Sequence, residues 1–189
     1  MAYARPHRLG ELIQLATAAD LAVLGQYPGN EPDGVTLLRP DDVMIDIGRP
    51  VLVIPCAGTF EGVGRRVLVA WDGTREANRA LHGALSLIDA AEAVTVMHVG
   101  AQQANLDRDR PWLERIVRHL GRHGTKAQPE ESASGGISIS EVLLSRAADL
   151  GADMIVAGAY HHSPLRESLL GGVRRDLLDH MTVPVLMSH

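Results

Sequence analysis

Residues Asp149–Ala159 read DLGADMIVAGA, and residues Ala16–Gln26 read ATAADLAVLGQ. Each stretch carries an aspartate, then a short apolar run, then a glycine. Asp20 answers to Asp153 and Gly25 to Gly158, both at an offset of 133 residues. A second apolar run follows each of them, GRPVLVIPC from Gly48 and MTVPVLMSH from Met181, with Pro50 answering to Pro184 at an offset of 134. Matching residue types in the same order at a nearly constant offset mark two copies of one unit.

Ahead of the second copy lies a long stretch from Arg66 to Leu150, and the first copy has almost nothing in the corresponding place. The expected organisation is therefore a partial unit over 1–57, a linker over 58–65 that contains Gly58, Gly62 and Gly64, and a complete unit over 66–189. The complete unit alternates strand and helix. VLVAW (Val67–Trp71) is a continuous apolar run of the kind buried on both faces of a sheet. Ala77, Ala80, Leu81, Ala84, Leu85 and Ile88 follow at helical spacing. VTVMHV (Val94–Val99) is a second strand; Leu113, Ile116, Val117 and Leu120 mark a helix with Pro111 in its first turn and Gly124 beyond its end. Lys126–Glu131 reads as a short edge strand. Ser138 and Glu141 have the spacing of a capping box opening the next helix. MIVAG (Met154–Gly158) and VPVLM (Val183–Met187) complete the set, and Pro184, which has no N–H to donate, puts the last strand at an edge.

This alternation predicts an α/β fold: an open parallel five-stranded sheet with helices on both faces, Rossmann-like, preceded by a half-copy of the same unit. Such sheets bind ligands at the carboxyl ends of their strands. The residues there are Trp71-Asp72-Gly73, His98-Val99-Gly100 and Gly158-Ala159-Tyr160.

Composition narrows the function. In 189 residues with 46% apolar and only 3% aromatic content, the core is built from Val, Leu, Ile and Ala. A net charge of −5, with Arg65-Arg66 and Arg174-Arg175 as isolated basic pairs, argues against a nucleic-acid partner. Cys56 is the single cysteine, so no internal disulfide forms and a reducing, cytoplasmic setting is expected. Glu11 interrupts the apolar stretch near the N-terminus, so no signal peptide is expected, and no apolar run reaches the roughly 20 residues of a membrane span.

The stretch from Gly158 to Arg175, GAYHHSPLRESLLGGVRR, carries the chemistry. A glycine closes one strand, and Gly171-Gly172 precedes a helix containing Val173, Leu177 and Leu178. Glycines let a backbone approach a ligand, and a helix N-terminus offers unpaired N–H groups to a phosphate. The plainer reading, turn and helix-packing glycines, stands beside it.

VLVAWDGT, VMHV, GADMIVAGAYHHSPLRESLLGGV and VPVLM, in that order, resemble the universal stress protein family over Arg66–His189. The half-unit resembles that family's last two strands, as in tandem members, here shortened at the N-terminus. The resemblance implies an adenine nucleotide alpha hydrolase-like fold, a role in stress response, and a site for ATP or AMP, with Mg²⁺ only alongside nucleotide. It implies an adenine between Asp72 and Val99, next to Ala70 and Trp71, and phosphates near Gly158, Gly171, Gly172 and Val173. The family's nucleotide motif has a second glycine where this chain has His161, and Ser or Thr where it has Gly172. His161 puts a side chain, titratable near neutral pH, where a phosphate would approach.

Other constellations are weaker. Asp72, His98, His161 and His162 suggest a metal cluster, but adjacent loop histidines usually point apart, and no metal is expected. Neither Cys56 nor Ser163 reads as a nucleophile, and there is no phosphate loop of the G-x-x-x-x-G-K-[ST] type, so no enzyme is expected. Strands Leu21–Gly25 and Val51–Pro55 make no stable sheet alone. Val51–Pro55 is expected beside Val183–Met187, and the bare edge at Leu21–Gly25 implies a homodimer formed partly through residues 1–57. The alternative function is an interaction protein with a vacated pocket, acting through that dimer.

Overall fold

The computed structural model describes residues 9–27, 39–159 and 167–189. Its elements are α1 (Leu9–Ala16), β1 (Ala22–Gly25), α2 (Pro40–Ile47), β2 (Val51–Ile54), β3 (Arg66–Ala70), α3 (Arg75–Gly83) and α4 (Leu85–Ile88), then β4 (Ala93–Gly100), α5 (Gln103–Arg122), β5 (Ala127–Ala133), α6 (Ile139–Leu150), β6 (Met154–Gly158), α7 (Glu167–His180) and β7 (Val185–Ser188). The seven strands make one sheet in the order β1-β2-β7-β6-β3-β4-β5. All neighbours run parallel except β2 and β7, which pair antiparallel. The strand–helix alternation accounts for the parallel pairs, since each crossover helix returns the chain to the same end of the sheet.

Positions related by the sequence offsets take matching places on either side of the β2–β7 seam. Ala22 pairs with Val51 as Ile155 pairs with Val185, and Gly25 pairs with Ile54 as Gly158 pairs with Ser188. The Pro50 carbonyl accepts from Ala22 N–H (3.0 Å) and the Pro184 carbonyl from Ile155 N–H (2.9 Å). Leu52 faces Leu186 at the centre of the seam. An approximate two-fold therefore passes between these leucines.

Alternation along the strands sends side chains to two cores. One lies under α1, α2, α6 and α7 and includes Val53, Leu68, Ile155, Leu177 and Met187. The other lies under α3, α4 and α5 and includes Leu52, Val69, Leu81, Leu120 and Leu186. Helix α6 opens on Ser138 with both halves of the expected capping box present. Among the described residues, no helix is long and apolar enough to cross a membrane.

Three local expectations need correction. Pro184 precedes β7, and β7 is internal, because the antiparallel β2 covers the side that would have been an edge of the five-stranded unit. Pro111 lies mid-helix, since α5 starts at Gln103. It sits on the exposed side, where water can serve the carbonyl left without its N–H. The helix expected through Ile88 breaks at Ala84, which caps α3 and opens α4.

Candidate functional site

The β3–α3 turn is built by Asp72. Its Oδ1 accepts from the Thr74 N–H (3.0 Å) and hydroxyl (2.6 Å), closing a turn in which Gly73 takes φ 75°. Thr74 then caps α3, its hydroxyl accepting from Ala77 N–H (3.2 Å). The turn is locked from β4 as well. Trp71 N–H donates to the Met97 carbonyl (2.8 Å), and His98 Nδ1 donates to the Trp71 carbonyl (2.9 Å). The far nitrogen of His98 lies 3.5 Å from Asp109 of α5, an ion pair when the ring is protonated. A hydrogen bond from Arg108 is the main cause holding Asp109 below the usual carboxylate range.

On the other side of the turn, α3 meets β6. A methyl group added at Gly158 would stand 2.7 Å from the Ala77 backbone nitrogen and 2.9 Å from the Glu76 backbone carbon. Glycine at the end of β6 is thus what lets α3 seat on the sheet. This approach buries Glu76, only 3% exposed, whose carboxylate accepts from Arg75 Nε (2.7 Å). Sequence reasoning passed over Glu76. An acidic residue in a first helical turn is ordinary because it complements the helix dipole, and only the packing on Gly158 reveals its burial.

A cavity of about 120 Å³ opens between these parts. Of the nine positions named from sequence, Ala70, Trp71, Asp72, Val99, Gly158 and Val173 line it. Glu76, Ile139 and Arg174 line it too. The Arg174 guanidinium reaches the Ala159 carbonyl (3.5 Å). His161 lies outside the described residues, as do Tyr160, His162 and Ser163. Gly171 and Gly172 lie inside α7 rather than ahead of it, because the helix begins at Glu167. The N–H groups of Gly172 and Val173 thus belong to the helix ladder and not to a free N-terminus, and Arg174 and Arg175 are past the first turn. A methyl group at Gly172 would meet nothing within 4 Å. The sequence suggested a later start because a glycine pair is a poor helix interior.

Among the described residues, no group of three or more His, Cys, Asp or Glu is placed to hold a metal. Cys56 is exposed, just past β2, and its N–H donates to the Gln26 side chain (3.0 Å).

With strand order, turn and cavity in hand, the class is that of open α/β sheets with a cavity at the strand ends. The sequence profile of the universal stress protein family matches residues 64–189. The chain belongs to the universal stress protein family. It is similar to a universal stress protein from Archaeoglobus fulgidus over 95% of this chain and 64% of that one, with TM-score 0.66 and 19% identity. The chain thus spans just under two thirds of that protein's length. A family protein from Burkholderia pseudomallei is 27% identical, with TM-score 0.52, over 65% of this chain and 94% of its own. A second Archaeoglobus fulgidus universal stress protein, solved in complex with dAMP, gives TM-score 0.52 at 20% identity over 64% and 94% of the two chains. No curated protein matches the sequence.

Proposed function

We propose that this protein is a cytoplasmic stress-response regulator that binds one adenine nucleotide, AMP or ATP, and does not catalyse its turnover. The observation that carries the reading is the gathering of six sequence-named positions, from β3, β4, β6 and α7, around one cavity at the strand ends. Both turn bonds of Asp72 use Oδ1. Oδ2 is thereby left for an amino or hydroxyl hydrogen of the ligand. Val99 and Ala70 supply apolar surface for a flat base. At about 120 Å³ the cavity is below the roughly 300 Å³ at which pockets enclose whole ligands, so it fits a base and leaves ribose and phosphate outside. Arg174 supplies positive charge on the α7 side, and Mg²⁺ would accompany ATP alone. The complex of a family relative with dAMP supports the adenine class.

Calorimetry on nucleotide-stripped protein tests this. AMP, or ATP with Mg²⁺, is expected to bind tighter than about 100 μM, about −5.5 kcal/mol. Val99→Asp, at a half-buried position, should weaken it about tenfold, because a desolvated carboxylate would face the base. No heat and no thermal stabilisation at millimolar nucleotide would overturn the reading.

One observation favours a second reading, an interaction protein that dimerises through residues 1–57, the back half of a second unit. At β1, Ala22 and Gln26 N–H bond inward to β2, so the backbone groups of Val23 and Gly25 face outward. Val23 is 60% exposed. An apolar bare edge pairs readily with a second copy. Light scattering would show a dimer, and a monodisperse monomer at micromolar concentration would contradict it.

A further inference from the structure

A second, much larger concavity lies on the face of the sheet below α3 and α5. Helix α3 packs over β6 and β7, and α5 over β4 and β5, so the two helices stand apart above β3 and β4. The groove between them measures about 1300 Å³. Its upper end shares Trp71, Asp72 and Val99 with the smaller cavity, and it runs from there down to Arg122, away from Gly158 and α7. Its base is apolar, with Trp71, Leu113 and Ile116 buried there.

The spacing of α5 explains the wall. Leu106, Leu113, Ile116 and Leu120 turn to the sheet. Arg108, Trp112, Arg115, His119 and Arg122 recur every three or four residues and so share the adjacent face, which lines the groove. Trp112 is 59% exposed, with the Arg115 guanidinium 4.7 Å above its ring. His82 of α3 stands across from His119, ring centres 5.5 Å apart, and His123 meets the His119 ring edge-on at 4.8 Å.

Charge is what selects the occupant. The chain carries a net −5, yet four of its arginines line this groove. The carboxylates lining it, among the described residues, are Asp72 and Asp109, both at the upper end. Asp72 is bonded to Thr74 and Asp109 to Arg108. Arg115, Arg118 and Arg122, lower down, make no ion pair among the described residues. Burial first, then the electrostatic effect of His123, His82 and Arg122, holds His119 below its ordinary value. A row of cations beside apolar surface without a counter-charge is complementary to a molecule with an apolar body and an anionic head.

We propose that the lower part of the groove between α3 and α5, below the turn it shares with the nucleotide cavity, is a second binding site for a small amphiphilic anion. Its apolar body lies along Trp112, Leu113 and Ile116, and its carboxylate or sulfonate sits between Arg115, Arg118 and Arg122.

The probe is 8-anilinonaphthalene-1-sulfonate, an apolar aryl sulfonate, followed by its own fluorescence and by quenching of Trp112, with decanoate as competitor. The wild-type chain is expected to bind one probe per chain saturably, and decanoate should displace it. The double variant Arg118→Glu/Arg122→Glu, whose side chains are exposed and so dispensable for folding, should weaken it about tenfold or more, the loss of charge-assisted bonds. AMP should leave the bound probe in place. The inference is overturned by non-saturable binding, or by a double variant within about twofold of wild type. Equimolar displacement by AMP would merge the groove with the nucleotide cavity and also overturn it. Displacement by a short oligothymidylate but not by decanoate would assign the groove to nucleic acid instead.

Discussion

The β1–β2 pair and the β6–β7 pair carry similar residue types and are folded in the same register, yet they do different things. Gly25 and Gly158 close corresponding strands. A methyl group at Gly25 would meet nothing within 4 Å, whereas at Gly158 it would collide with the first turn of α3. Asp20 and Asp153 precede those strands. Asp153 accepts from three successive N–H groups, Gly64, Arg65 and Arg66, at 3.0–3.1 Å, and so ties the entry of β3 to β6. Asp20 is exposed and, among the described residues, faces no such segment. The difference is the neighbour. β6 has β3 and α3 beside it, and β1, among the described residues, has no strand on its outer side. Similar residues in the same register therefore specify local geometry twice, and a pocket only where a second element closes over it.

The largest effect should come from Gly158→Val. The added carbons force α3 off the sheet, and overpacking of this kind costs about 3 kcal/mol. Gly25→Val should stay within about 0.5 kcal/mol of wild type, and urea midpoints of the two variants give the contrast directly. Equal losses would mean the pairs are not distinguished by α3. Next comes Asp153→Ala. Leaving three N–H groups without their charged acceptor should cost about 2 kcal/mol, while Asp20→Ala should be near neutral.

Gly172→Ala should be smaller and of opposite sign. In the interior of α7, with open space around it, alanine should stabilise by up to about 1 kcal/mol. A loss of stability there would restore a close-approach role for the glycine.

The smallest effect concerns pH. Hydrogen bonds from Ser140, then Ser138, hold the Asp176 carboxyl below its usual range, and the bond to the Asp176 carbonyl, then that residue's charge, raises His180. The Asp176 contribution is present above about pH 4 and fades as pH falls through its lowered value. That of His180 is full below about pH 6.5 and fades as pH rises through its raised value. The first half has Asp46 at the position offset by 134 from His180, so it lacks this pair. Asp176→Asn should flatten the pH dependence of the urea midpoint at both ends.

Much of this was legible in the residues. Apolar runs bounded by glycine and proline locate six of the seven strands to within a few residues, most clearly the strands buried on both faces, whereas the edge strand β5 is polar and partly exposed. Ser138 and Glu141 announced the start of α6 since a capping box is a local motif. Long-range packing was not legible. The burial of Glu76, the collision behind Gly158 and the spread of α3 from α5 depend on elements far apart in sequence. Pro111 and Gly171-Gly172 misled for a related reason. Local propensity argues for a helix boundary, but a long helix packed on the sheet tolerates a proline on its wet side and glycines in its interior.

The most direct test of the nucleotide cavity closed where α3 meets β6 is AMP titration followed by amide NMR on the nucleotide-stripped protein. The account predicts saturable shifts at Asp72, Val99, Gly158 and Val173, with Gly25 and Val53 unmoved. Shifts at Gly25 matching those at Gly158, or none anywhere at millimolar AMP, would contradict it.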